Sequence, residues 1–330
     1  MDVRSLHRFA AVAATIALNL SVAVPAAAQS TPVSGVPPAV AAQIQALGPV
    51  IDAPGVRAIY APLAPAQPGA GVATTTDIAF GADEKQRLDV YRPQSGGTTP
   101  LPVLVFVHGG AFVGGDKAQS ANVGYAFARR GVVVIVTNYR LAPAHPFPAG
   151  AEDVAAAVAW TRANAAQYGG DPARIVLMGH SAGASHTAAF ALTRRFQPRG
   201  GSGLAGLILV SGAGYDPGLE YDAQASFGGP DALKPDLAYF GPDTSRYADA
   251  ATLRHLDAPA LPVMLTQAEL DPLMMQVATP ALLTALCRRD NHCPRMTWLR
   301  YHDHLSPVYA LNTGDESLLA PALDFIRVPR

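Results

Sequence analysis

The sequence predicts an α/β protein: a doubly wound, mostly parallel sheet with helices on both faces and a small cap or insertion. Three observations carry this. Continuous apolar runs recur at residues 101–107, 132–137, 204–210 and 261–266. A strand covered on both faces reads as such a run, not as an apolar/polar alternation. Between the runs lie segments with apolar residues at helical spacing, of which 151–167 is the longest. Finally, the apolar run 175–178 passes directly into Gly179-His180-Ser181-Ala182-Gly183 and then into a helical stretch over 184–194. That is the strand–turn–helix context in which a G-x-S-x-G motif carries meaning.

Taken in order, the chain opens with Arg4, His7 and Arg8, an apolar run over 9–24, Pro25 and Ala26-Ala27-Ala28. This pattern reads as a signal peptide over 1–28, cleaved after Ala28, with the mature protein periplasmic or secreted; an uncleaved membrane anchor is the alternative. Residues 29–71 are rich in Ala, Pro, Gly and Val and read as an N-terminal arm that packs on the main domain, with a short helix over 40–47. Residues 72–330 form the main domain. Its first strands are expected at 74–80 and 87–91, joined by Gly81-Ala82-Asp83. After the serine helix, strands are expected at 204–210, 261–266 and 296–301, and helices at 280–286 and 317–326. Residues 212–255, rich in Gly, Pro, Asp and Tyr, break the rhythm and read as a cap-like insertion.

Composition bounds the function. The chain has 330 residues, 49% of them hydrophobic, 15% charged, with a net charge of −1. That suits one large core and gives no basic stripe for nucleic acid. For an exported chain with two nearby cysteines, Cys287 and Cys293 read as one disulfide. A metal site with His292 lacks an evident fourth ligand, so no metal is expected.

A serine between two glycines at the end of a strand can be a nucleophile, but it needs a base, and the base needs an orienting acid. In a doubly wound sheet such groups gather beyond the carboxyl ends of strands. After 261–266 comes Glu269-Leu270-Asp271-Pro272, and after 296–301 comes His302-Asp303-His304-Leu305-Ser306. The order Ser181, Asp271, His304 is the one expected for this architecture. Glu269 and Asp303 compete with Asp271 as the acid, and His302 competes with His304 as the base. An acyl-transfer intermediate also needs its oxygen neutralised. His108-Gly109-Gly110-Ala111-Phe112 directly follows a buried strand, and the amides of Gly110, Ala111 and Ala182 could form that oxyanion hole.

The motifs together resemble the α/β-hydrolase-fold carboxylesterases, in the branch related to hormone-sensitive lipase and to bacterial esterases with an H-G-G-x-F/W signature. The likeness runs from about residue 74 to 310 through His108 to Phe112, Asn138-Tyr139-Arg140-Leu141-Ala142-Pro143, His145-Pro146-Phe147-Pro148, Tyr168-Gly169-Gly170-Asp171-Pro172, Gly179 to Gly183, and Glu269-Leu270-Asp271. It implies nucleophile Ser181, acid Asp271, base His304, oxyanion donors Gly110, Ala111 and Ala182, no cofactor, and a small-molecule ester as substrate. Ala111 stands where the family often has a third glycine, so its methyl is expected to narrow access for bulky groups. Phe112, with some of Tyr215, Tyr221, Phe227, Tyr239 and Phe240, is a candidate to line the substrate pocket. His108 and His180 are expected to brace backbone near the site, His145, His186 and His255 to be structural or surface residues, and Asp153 to pair with Arg140. An arylformamidase, a peptidase and a catalytically inactive binding module share the fold and stand as alternatives.

Overall fold

The computed structural model describes residues 35–95, 97–227 and 232–329; the expected signal peptide lies outside them, as does the side chain of Phe227. Eight strands, β1 (Val72–Ala79), β2 (Arg87–Pro93), β3 (Leu101–Val107), β4 (Val133–Thr137), β5 (Gly170–His180), β6 (Gly206–Val210), β7 (Val263–Leu270) and β8 (Arg295–Asp303), form one sheet in the order β1-β2-β4-β3-β5-β6-β7-β8. The pairs β1–β2 and β2–β4 are antiparallel, and every pair from β4–β3 onward is parallel. The helices are α1 (Pro38–Leu47), α2 (Ala53–Tyr60), α3 (Ala121–Ala128), α4 (Ala149–Asn164), α5 (Ala182–Leu192), α6 (Pro217–Phe227), α7 (Lys234–Phe240), α8 (Tyr247–Ala250), α9 (Leu273–Asp290), α10 (Ser306–Tyr309) and α11 (Leu319–Arg327).

The apolar runs are continuous because both faces of the sheet are covered. Along β3, Val103, Val105 and Val107 join one core while Leu104 and Phe106 join the other. The first core is closed by α4, α5 and α9 through residues such as Val158, Ala188 and Leu282. The second is closed by α3 and α11 through Phe127, Ala322 and Phe325. Period-2 side-chain alternation with two buried faces produces the unbroken apolar reading of the sequence.

Outside the insertion, two helices of more than one turn were not expected. The start of α2 is set by Asp52, whose carboxylate accepts the Gly55 amide at 3.0 Å, and by Pro54 in the first turn. The other, α3, is short and Ala-rich. Within the expected arm, α1 and α2 bury Val40, Ile44, Val56 and Tyr60 in a cluster with Ala310. Residues 212–255 supply α6, α7 and α8. Cys287, in the last turn of α9, is joined by a disulfide to Cys293 just before β8, with a Cα separation of 4.2 Å. Among the described residues no helix is long and apolar enough to cross a membrane, and no cluster of three or more His, Cys, Asp or Glu could hold a metal ion.

Candidate active site

Strand register brings the candidate residues together. Val107 pairs with Gly179, so the loop after β3 leaves the sheet beside the turn after β5. His180 pairs with Val210, and Leu270 with Asp303. Ser181, Ser211, Asp271 and His304 are therefore the first residues beyond the carboxyl ends of β5, β6, β7 and β8.

Ser181 holds φ 55° and ψ −125°, a conformation that a side chain rarely adopts. The sharp turn is kept by its surroundings: the Ser181 amide donates to Val210 O at 3.0 Å, and the Ser181 carbonyl accepts the Ala184 amide at 2.9 Å. The flanking glycines are a steric requirement. A Cβ on Gly179 would lie 2.4 Å from Gly183 O, and one on Gly183 would lie 2.3 Å from Val107 O and 2.5 Å from His108 O.

The Ser181 hydroxyl donates to His304 Nε2 at 2.8 Å, and His304 Nδ1–H donates to Asp271 Oδ1 at 2.9 Å. All three side chains are buried, Asp271 completely. The other Asp271 oxygen accepts the Ala268 amide at 2.8 Å and the Ser211 hydroxyl at 2.9 Å. Three donors hold the carboxylate, which fixes the imidazole plane. Ser211 is a site residue that the sequence reading missed; its one local signal is its place directly after a buried strand.

The competing candidates are occupied elsewhere. Glu269 accepts the Tyr301 amide at 2.7 Å across the β7–β8 irregularity, where Tyr301 has φ 63°. Asp303 accepts the amides of Leu305 and Ser306, closing the turn into α10. His302 is fully buried, with Nδ1 2.9 Å from Ser306 Oγ and Nε2 3.5 Å from Asp315.

Gly110 has φ 142°, and a Cβ there would meet Gly114 O at 2.0 Å. Ala111 and Phe112 follow with φ 50° and 66°. Such backbone persists only where its surroundings over-determine it, and it clusters at ligand sites. The amides of Gly110 and Ala111 donate to no backbone carbonyl among the described residues. The Ala182 amide opens α5, where no helical acceptor precedes it and the helix dipole favours negative charge.

A cavity of about 290 Å³ opens over this constellation, lined by Ser181, His304, Gly109, Gly110 and Ala111 on one side. Ile51 and Ala53 from the arm, Asn122 of α3 and Tyr309 of α10 line the other side. Phe112 does not line it, contrary to expectation. Its side chain is buried and stacks on Tyr239, with ring centroids 4.6 Å apart and planes within 3°. The positive φ at Phe112 sends the ring under the loop into a cluster with Ala142, Ala182 and Phe240. Tyr215, Tyr221, Tyr239 and Phe240 are likewise absent from the cavity walls. The wall opposite the serine comes from the arm, α3 and α10, not from the insertion.

The remaining motif residues brace this frame. Arg140 donates to Asp153 through its amide at 2.7 Å and through Nε at 2.9 Å. His108 Nδ1 lies 2.7 Å from Gly109 O, and the ring stacks on Tyr139. His180 Nε2–H donates to His304 O at 2.9 Å, tying the serine turn to the histidine loop. His145 approaches Asp83 at 3.6 Å, and His255 bonds Ala248 O at 3.1 Å. His186 is buried beside Tyr239, 3.2 Å from its hydroxyl.

Burial pushes His180 and His186 down to about 3 from the ordinary 6.5. Between those values the unfolded chain takes up protons that the folded chain refuses. The stability these two histidines contribute is therefore fully present above about pH 6.5 and falls as pH drops toward 3, by roughly 1 kcal/mol per pH unit for each. Urea unfolding at pH 7, 6 and 5 should show this loss, and His186→Phe should shed one proton's worth of the slope. An unchanged slope in that variant would exclude His186 as a source.

The family model described as BD-FAE matches residues 88–199. Esterase LipC of Mycobacterium tuberculosis (strain ATCC 25618 / H37Rv) is 43% identical over 117 residues, covering 35% of this chain and 29% of LipC. Esterase LipQ of the same organism is 30% identical over 224 residues, covering 65% of this chain and 53% of LipQ. The chain spans less than a third of the length of the first curated relatives it matches, between 26% and 30%. Among solved structures, a bacterial heroin esterase superposes with a TM-score of 0.68 at 28% identity, over 88% of this chain and 98% of that one. These likenesses bear out the resemblance read from the motifs.

Proposed function

We propose that this chain, an α/β-hydrolase-fold protein related to bacterial esterases, is an exported serine carboxylesterase of short-chain esters. The observation that carries the reading is the hydrogen-bonded line Asp271–His304–Ser181, at 2.9 and 2.8 Å, beside the Gly110 and Ala111 amides, which donate to no backbone carbonyl among the described residues. In this mechanism His304 Nε2 takes the Ser181 proton as Oγ attacks the ester carbonyl, while Asp271 holds the imidazole and balances its charge. The amides of Gly110, Ala111 and Ala182 receive the negative oxygen of the tetrahedral intermediate. His304 then protonates the leaving alkoxide. The acyl group stays on Ser181 until a water, deprotonated by His304, releases the acid.

The short-chain preference is supported by the cavity of about 290 Å³ and by the Ala111 methyl on its wall. Export is supported by the basic and apolar pattern of residues 1–28 and is compatible with the Cys287–Cys293 disulfide. One experiment tests both parts. The protein is recovered from cells expressing the full chain and treated with a para-nitrophenyl alkylphosphonate; its mass and peptide map are then read. A single adduct on Ser181 and a mature N-terminus at Gln29 are expected, with para-nitrophenyl acetate turned over faster than the octanoate. An adduct elsewhere sinks the nucleophile, an intact Met1 sinks the cleavage, and faster octanoate turnover sinks the short-chain reading.

A further inference from the structure

The cavity over Ser181 shares its far wall with a neighbouring hollow. Gln119, Asn122 and Tyr309 line it and also line a second hollow of about 290 Å³. Pro65, Asn312 and Thr313 line that second hollow and also a third of about 370 Å³. Shared lining residues place the three side by side, as a trough of adjoining hollows running away from the nucleophile along the arm, α3 and the segment after α10.

The trough has a consistent charge. Arg57 lines the second hollow, Arg129 and Arg130 line the third, and no Asp or Glu lines either. Arg57 lies over the Tyr309 ring, 5.8 Å from its centroid, and donates to the Tyr309 hydroxyl at 3.3 Å; it has no carboxylate partner among the described residues. Arg129 donates to the carbonyls of Pro68 and Ala70 and to Asn312 Oδ1, and it too has no carboxylate partner there. Only Arg130 is paired, to Glu316 at 2.6 Å. Two cations without a counter-charge in a concave groove focus field on whatever occupies it. A guanidinium held against an aromatic ring is oriented to receive a carboxylate with two N–H groups. Tyr125 and Tyr309 add flat faces on which hydroxyl-bearing rings can pack.

We propose that the trough binds the part of the substrate beyond the scissile ester, and that this part is an extended chain bearing carboxylates, the chemistry of an acidic oligosaccharide. The inference builds on the esterase reading of the Ser181 site but is tested apart from it. The probe is an unesterified oligogalacturonate, titrated calorimetrically into the full-length Ser181→Ala protein, with a neutral xylo-oligosaccharide of equal length as control. Saturable binding of the acidic oligomer is expected, weakened by salt and weakened about tenfold by adding Arg57→Gln, as for loss of one charge-assisted contact. The neutral oligomer should bind more weakly. No saturable binding, equal binding of the two oligomers, or an Arg57→Gln change without effect overturns the trough. Hydrolysis of para-nitrophenyl acetate by the unmutated chain reports on the esterase reading alone: binding without hydrolysis leaves the trough standing and removes the esterase, and hydrolysis without binding does the reverse.

Discussion

Ser181→Ala is expected to lower kcat for para-nitrophenyl acetate by at least about 10⁴-fold while leaving the fold intact. The hydroxyl is the one group of the constellation aimed at the cavity with a base behind it, at 2.8 Å. An alanine at this position keeps the backbone turn and its amide bond to Val210, so the loss should fall on chemistry and not on stability. His304→Ala should cost about as much, and the double variant hardly more than either single one, because nucleophile and base act as a unit. Asp271→Asn should retain the geometry but present His304 Nδ1 with a competing donor, giving a loss of about 10³- to 10⁴-fold. Initial rates measured beside circular dichroism decide this. A Ser181→Ala protein with more than a tenth of the parent rate would remove Ser181 from the mechanism.

Gly183→Ala should be among the most damaging single methyl additions. Its Cβ would lie 2.3 Å from Val107 O and 2.5 Å from His108 O, and both are backbone atoms at the exit of a central strand. No side-chain rotamer can relieve the overlap, so α5 or the loop after β3 must shift. Overpacking of a close-packed site costs about 1–3 kcal/mol and more where the neighbours are rigid, so a loss of about 3 kcal/mol or failure to fold is expected. Any protein that does fold should be slow as well, since the shift separates the Ala182 amide from the Gly110 and Ala111 amides. Urea midpoints and kcat measured together test this, and a Gly183→Ala protein of parental stability would contradict the packing account. Gly131→Ala, with φ 81° but nothing within 4 Å of its Cβ, should lose only the cost of left-handed backbone, about 1–2 kcal/mol.

Much of the sheet could be read from residues alone because its signal is local. The runs that became β3 and β4 are apolar throughout, and burial on both faces leaves no other pattern for them. The turn at Ser181 was equally plain, since its motif is contiguous and Gly179 is required by a contact with Gly183 only four residues on. The arm was harder. Its helix α2 is announced by Asp52 and Pro54 but is only eight residues long, and its packing on Ala310 joins segments some 250 positions apart.

Motif spacing and hydrophobic period determined the parallel sheet, the strand ends that bear polar groups, and the chain order of the three candidate residues. Tertiary structure alone decided which histidine faces which way. The irregularity at Tyr301 sets the pairing of Leu270 with Asp303, aims His304 at Ser181, and buries His302 against Ser306 and Asp315. It also decided that Phe112 turns under its loop, that Ser211 reaches Asp271, and that arm, α3 and α10 share the walls of one trough. The reason is physical. A residue's identity and period follow from its neighbours in sequence. The direction of a side chain at the end of a strand follows from register and bulges, which are set by a partner strand elsewhere in the chain.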